Sequence, residues 1–372
     1  MGFPTRRLRR LRQNQNFRTL VSETDLSVHD FILPLFAVWG SGIKKEISAL
    51  PGNYHLSIDC LVEEARQVRD LGISAILLFG IPGVKDECAS EAYSPNGIVQ
   101  QAVKALKSTV PDLLVITDVC PCEYTTHGHC GIIENGYLAN DRSLELLKKI
   151  AVSHAEAGAD MVAPAAMLDG EIQAMRQALD EHGFENLPIM GYSAKYASKL
   201  YDPFFKEGTH SALSFGDKKT HQMDYANSDE AMREIALDVE EGVDIIMVKP
   251  ALFYLDVVYR AKKEFQMPLA VYNVSGEYAM IDAAAKIVPM KANAMPTEQI
   301  SRYFHIASSE RRFGCSEMRN AVSSVVASIP THMIPRLLET STSIIAAREP
   351  SHSAPKRRAA ASDRPCSPSS AK

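Results

Sequence analysis

Tryptophan occurs once in the 372 residues, and neither sign of charge dominates, with 40 Lys and Arg against 45 Asp and Glu. A nucleic-acid surface needs clustered cations to neutralise phosphates, and a formal net charge of −5 argues against one. No apolar run approaches the roughly 20 residues that span a bilayer, which excludes a membrane partner. The basic start Arg6-Arg7-Leu8-Arg9-Arg10-Leu11-Arg12 lacks the apolar stretch that would follow it in a secretory leader. Cysteine is scarce, 7 in all, and three of these are bunched together. That pattern suits a reducing compartment rather than a disulfide framework. The absences together predict a cytoplasmic protein.

What is present is an ordinary globular mixture, 46% hydrophobic and 23% charged. Its bunched cysteines, Cys120, Cys122 and Cys130, stand at a Cys-x-Cys-x7-Cys spacing behind the apolar run 113–117. The same loop holds His127, Gly128, His129 and Gly131. Zinc takes thiolate and imidazole ligands readily. Four protein ligands, with His127 or His129 as the fourth, would make a closed site; three leave a position for water or substrate. Buried, reduced cysteines without a metal are the alternative, and the tight grouping favours the metal.

From Phe31 onwards apolar runs of strand length recur at 31–36, 73–79, 113–119, 161–167, 187–192, 245–248 and 269–274. Segments of helical period lie between them: Leu61, Ala65, Val68 and Leu71 share a face, as do Leu144, Leu147, Ile150, Ala151 and His154. Gly72, Gly158 and Gly242 close helices just before the next strand. Such alternation predicts a parallel sheet covered on both faces. Polar residues recur at strand ends (Cys120, Lys195, Lys249 and Ser275), as on the catalytic rim of a (β/α)8 barrel, whose usual length is about 250 residues.

The expected architecture is therefore an α/β TIM barrel over 30–287, preceded by an arm over 1–29. Seven strands can be counted, and no eighth follows Ile287. Residues 288–348 hold short apolar pieces broken by Pro330 and Pro335, and 349–372 have the composition of a disordered tail.

Lys195 is read as lying just past the fifth strand and Lys249 at the end of the sixth. A lysine at the exit of an apolar strand is poorly solvated, and a second ammonium nearby lowers its pKa further. That is a recipe for amines that form Schiff bases with ketones. Phosphate binding or pairing with a carboxylate is the alternative for either lysine. The long polar loop 201–227 reads as a lid, and its lysines suggest an anionic substrate.

These motifs, together with Lys195-Tyr196-Ala197-Ser198, Val248-Lys249-Pro250 and Val274-Ser275-Gly276-Glu277-Tyr278-Ala279-Met280, resemble the porphobilinogen synthase (5-aminolevulinate dehydratase) family. The likeness runs from about Arg6 to about Lys286. It implies a lyase of tetrapyrrole and heme synthesis that joins two 5-aminolevulinate molecules with loss of two waters. Lys249 and Lys195 would each hold one substrate as an imine, and Cys120, Cys122 and Cys130 would hold zinc. It further implies substrate contacts from Lys218, Gln222, Ser275, Asp118 and Lys206, an allosteric magnesium at Glu234, and a homo-octamer whose arms wrap neighbours.

Departures accompany the likeness. Phe205 stands where the family has an Arg that holds a substrate carboxylate, with Lys206 one position late; Lys218 replaces a second Arg. Ala165 and Ala166 replace two polar residues of the pocket, and the Tyr that should join Ser275 has no match after Ile287. Two rivals follow: another Schiff-base lyase of aldolase type, which needs one lysine, or an inactive or regulatory homologue.

Overall fold

The computed structural model describes residues 2–23, 27–287 and 344–346, with the backbone alone for 285–287 and 344–346. The rest of the segments 288–348 and 349–372 lies outside the described residues. Seven parallel strands appear as β1 (Phe31–Val38), β2 (Ala75–Ile81), β3 (Leu114–Val119), β4 (Met161–Pro164), β5 (Met190–Lys195), β6 (Ile245–Lys249) and β7 (Leu269–Tyr272). Each is followed by a helix: α1 (Ile58–Asp70), α2 (Ile98–Thr109), α3 (Asn140–Ala157), α4 (Glu171–Glu181), α5 (Ser228–Glu241), α6 (Leu255–Phe265) and α7 (Ser275–Ile287). Every residue of β2 is buried, as expected of a strand with neighbours on both faces.

The eighth strand, absent from the sequence reading, is β8 (Ile344–Ala346). It fills the gap between the two outer strands, pairing Ile345 with Phe31 of β1 and with Val271 of β7. Both pairings are antiparallel. The strands thus run β4-β3-β2-β1-β8-β7-β6-β5, and a parallel bridge from Val162 to Ile189 joins the two ends. A strand of three residues, running backwards and far along the chain from α7, carries none of the repeat that revealed the other seven.

Sequence boundaries shifted where glycine or proline interrupts an apolar run. The run 187–192 yields a strand only from Met190, and Lys195, read as lying past it, is its last residue. Helices α3 and α5 end at Gly158 (φ 98°) and Gly242 (φ 99°), a left-handed conformation that glycine adopts without a Cβ clash. Phe36 of β1 stacks on Phe79 of β2 with centroids 5.4 Å apart, and Phe204 packs on both at 5.8 and 5.1 Å. That aromatic plug fastens the start of the long loop 201–227 to the barrel.

Before β1, the turns Leu8–Arg12 and Gln15–Leu20 bury no side chain. Among the described residues no helix is long and apolar enough to cross a membrane.

Candidate active site

The geometry of the lysines starts from a misfit between β5 and β6. Ile246 pairs with Gly191 and Val248 with Ala194, so Tyr192 and Ser193 together oppose Met247 alone. Such a β-bulge breaks the alternation of side chains. Tyr192 and Lys195, three residues apart, therefore face the same side, with Lys195 Nζ 5.2 Å from the Tyr192 ring centre. Lys249 ends β6 directly opposite Lys195, on a strand about 5 Å away. Its Nζ lies 4.8 Å from the same ring.

Both lysines are buried. Lys249 Nζ is walled by Tyr272 at 3.9 Å, Phe204 at 5.4 Å and Tyr201 at 5.5 Å. Burial, and after it the charge of Lys195, lowers the Lys249 pKa to about 7. Asp118, at the end of β3, accepts a hydrogen bond from the Tyr192 hydroxyl at 3.1 Å. Burial raises its carboxyl to about 6, while Lys195 and Lys249 pull it down. An acid titrating near neutrality beside two amines is placed to take and return protons.

The cysteine loop folds back on itself through short-range hydrogen bonds. Tyr124 and Thr125 N–H both donate to Pro121 O, at 2.9 and 3.0 Å. Thr125 Oγ1 accepts from Gly128 N–H and donates to His129 O, each at 3.2 Å. Cys130 is thereby returned to Cys120 and Cys122, and the three buried sulfurs lie within 4.8 Å of one another. Zn–S bonds of about 2.3 Å in tetrahedral geometry separate sulfurs by roughly 3.8 Å, so the donor set fits such an ion.

Neither histidine expected as a fourth ligand joins the sulfurs. His129 Nε2 meets Phe215 O at 3.0 Å, and His127 Nδ1 accepts from His129 N–H at 3.1 Å. His221, unnoticed in the sequence, stands beside Cys130 instead.

Lys218 links this cluster to the loop. Its buried Nζ lies 3.3 Å from Cys130 Sγ and 4.1 Å from the Phe205 ring centre. Burial pulls its pKa down, but the sulfurs of Cys122 and Cys130 outweigh that and leave it raised. Glu123 approaches Cys122 Sγ at 3.3 Å. Burial, then the Asp118 charge, pushes its carboxyl up to about 8.

The remaining residues named from the sequence are spread more widely. Gln222 is buried, its Nε2 without a partner among the described residues, and it lines a cleft of about 340 Å³ together with His221, Asp169, Glu230 and Glu234. Ser275 is buried at the start of α7, where its hydroxyl donates to Leu200 O at 2.8 Å. Lys206 lies outside the cluster: its side chain is 65% exposed and its Nζ is 3.8 Å from Asp202. The turn Phe204–Gly208 directs Phe204 inward, leaving Lys206 to solvent. Sequence reasoning missed Glu123, Tyr192, Tyr201 and Tyr272. Only Glu123 had a local signal, its position next to a cysteine of the cluster; Tyr192 and Tyr272 read as strand core, and Tyr201 as the start of the polar loop.

Comparison with known proteins bears on the same stretch. A family model described as Delta-aminolevulinic acid dehydratase matches residues 5–307. Proteins of that name from a Synechocystis species and from Bacillus subtilis are 56% identical over 287 residues and 49% identical over 280. The alignments cover 76% and 75% of this chain, and 88% and 86% of those proteins. Among solved structures, delta-aminolevulinic acid dehydratase (porphobilinogen synthase) from Toxoplasma gondii ME49, in complex with the reaction product porphobilinogen, matches with a TM-score of 0.78. It is 36% identical, over 90% of both chains. Identity of this order, across the stretch that carries both buried lysines and the three sulfurs, places the chain in the delta-aminolevulinic acid dehydratase family.

Proposed function

We propose that the protein condenses two molecules of 5-aminolevulinate to porphobilinogen, releasing two waters. The observation that carries this reading is the pairing of Lys195 with Lys249 at adjacent strand ends, inside an aromatic wall that depresses the Lys249 pKa. The neutral amine of Lys249 adds to the ketone of one substrate; the carbinolamine loses water and leaves an imine. Lys195, once it has passed its proton to Asp118, takes the ketone of the other by the same addition and dehydration. Asp118, oriented by Tyr192, accepts and returns protons during these additions and dehydrations. Lys218, buried and charged, supplies a cation for a substrate carboxylate, and Gln222 and Ser275 contribute polar contacts.

Cys120, Cys122 and Cys130 would hold zinc. Zinc held there would supply Lewis acidity, which favours substrate deprotonation and polarises a carbonyl. Glu234, in the cleft with Asp169 and Glu230, would bind magnesium. The arm over 1–29 exposes Phe3, Leu8 and Leu20 and would wrap a neighbouring copy in a homo-octamer in the cytoplasm. Residues 30–287, with the strand Ile344–Ala346 that pairs between β1 and β7, would form the catalytic domain, and the rest of 288–372 a C-terminal segment and tail.

The test is incubation of purified protein with 5-aminolevulinate and zinc, followed by the aldehyde-reagent colour of porphobilinogen. Product that disappears on chelation supports the reading. A borohydride-trapped imine without product would make the chain an inactive subunit.

A further inference from the structure

Glu171 is the first residue of α4, yet it is only 4% exposed. Its Oε1 accepts a hydrogen bond from Met167 N–H at 3.1 Å, and its buried Oε2 has no hydrogen-bond partner among the described residues. Met167 has φ 65°, a left-handed conformation that costs a non-glycine residue on the order of 1–3 kcal/mol and persists only when its surroundings hold it.

Two residues earlier, Ala165 O accepts a short hydrogen bond from Lys195 Nζ, while Ala165 N–H donates to Val119 O at 3.1 Å. Among the described residues Lys195 forms no ion pair, and that carbonyl is the one hydrogen-bond partner of its ammonium. The turn between β4 and α4 therefore sets where the Lys195 amine sits, and a buried carboxyl fastens the turn.

We infer that Glu171 is a positioning residue for Lys195, acting through Met167 and the Ala165 carbonyl. The consequence for catalysis rests on the reading of Lys195 as an imine-forming lysine; the contact itself does not. Burial, then the carboxylate of Asp238 on α5, raises the Glu171 pKa to about 8, so the carboxyl carries its proton at neutral pH. In that state its carbonyl oxygen still accepts from Met167, which makes Gln a faithful replacement and Asp, one methylene shorter, a poor one.

The test is competitive acetylation of the substrate-free full chain, with Lys195 and Lys249 reactivity read separately by peptide mass spectrometry. Glu171→Ala and Glu171→Asp are expected to change the Lys195 rate by about tenfold, the worth of the charge-assisted hydrogen bond that its amine makes. Glu171→Gln should stay within about twofold of the parent, as the conserved acceptor requires. Adding Met167→Gly to Glu171→Ala, which removes the φ penalty, should bring the rate back.

An unchanged Lys195 rate in both Ala and Asp variants overturns the inference, as does a Gln variant altered as much as they are. If the Ala variant fails to fold, the Asp and Gln pair decides alone. Imine trapping with 5-aminolevulinate, run in parallel, tests the reaction separately: no adduct in the parent sinks that reading and leaves the acetylation result standing.

Discussion

The proximity of Lys195 to Lys249 makes a quantitative demand on pH. With a pKa near 7 instead of the ordinary 10.5, half of the Lys249 amine is neutral at pH 7, against roughly one molecule in three thousand for an unperturbed lysine. Imine formation at Lys249 should therefore run about a thousandfold faster at neutral pH than at an ordinary lysine of equal reactivity. The assay is cyanoborohydride trapping of 5-aminolevulinate across pH, with adducts assigned to each lysine by peptide mass. The rate at Lys249 should climb with pH and level off above about 7.

Two substitutions separate the causes of the shift. Lys195→Met removes the neighbouring charge and should raise the midpoint, yet leave it well below 10.5, because burial is the larger cause. Asp118→Asn removes a carboxylate that favours the ammonium and should lower it. A midpoint near the ordinary lysine value in the parent would refute the reasoning, and so would a downward move in Lys195→Met.

Other parts of the site make independent demands. Cys130→Ser should abolish tight binding of one divalent ion per chain, checked by elemental analysis after gel filtration; full retention would remove the sulfur cluster from the metal assignment. Phe205→Arg places a second cation beside Lys218, and the Michaelis constant for 5-aminolevulinate should fall about tenfold, the worth of a charge-assisted hydrogen bond. An unchanged or higher constant would mean that the carboxylate does not reach the Phe205 side of the pocket. Gly191→Ala puts a Cβ 3.0 Å from Asp238 Oδ2, Ile172 Cδ1 and Val243 Cγ2 at once. It should cost about 1–3 kcal/mol of stability in urea unfolding, and a neutral result would show that α5 can move away from β5.

How far the sequence could be read depended on the range of the physics involved. Strand exits such as Lys249, the cysteine loop and the capping glycines Gly158 and Gly242 are local signals, and they were legible. The bulge at Tyr192 and Ser193 was not, since it exists only in register with Met247 across the strand pair. Without it, Tyr192 and Lys195 would fall on opposite sides of β5. The strand Ile344–Ala346 was hidden for a related reason: its partners Phe31 and Val271 lie far away in the chain, and its direction breaks the repeat. Lys206 failed as a pocket residue because a charged letter one position late does not replace a side chain aimed inward. The turn turns Phe204 toward Phe36 and Phe79 and leaves Lys206 beside Asp202.

Lys218 and Lys249 show why residue type alone does not assign a role. Both are buried, and burial alone would drive both toward the neutral amine. Lys218 has Cys130 Sγ at 3.3 Å, and the surrounding sulfurs keep it charged. Lys249 has another lysine opposite it and rings around it, and its pKa falls to about 7. One is a fixed cation suited to holding a carboxylate; the other is a free amine suited to attacking a ketone. A pocket that must bind an amino acid derivative through its carboxylate and react with it through its ketone needs both. Exchanging the surroundings would exchange the roles: with the three sulfurs removed, Lys218 loses what holds its proton and should become the second amine of the site to titrate near neutrality.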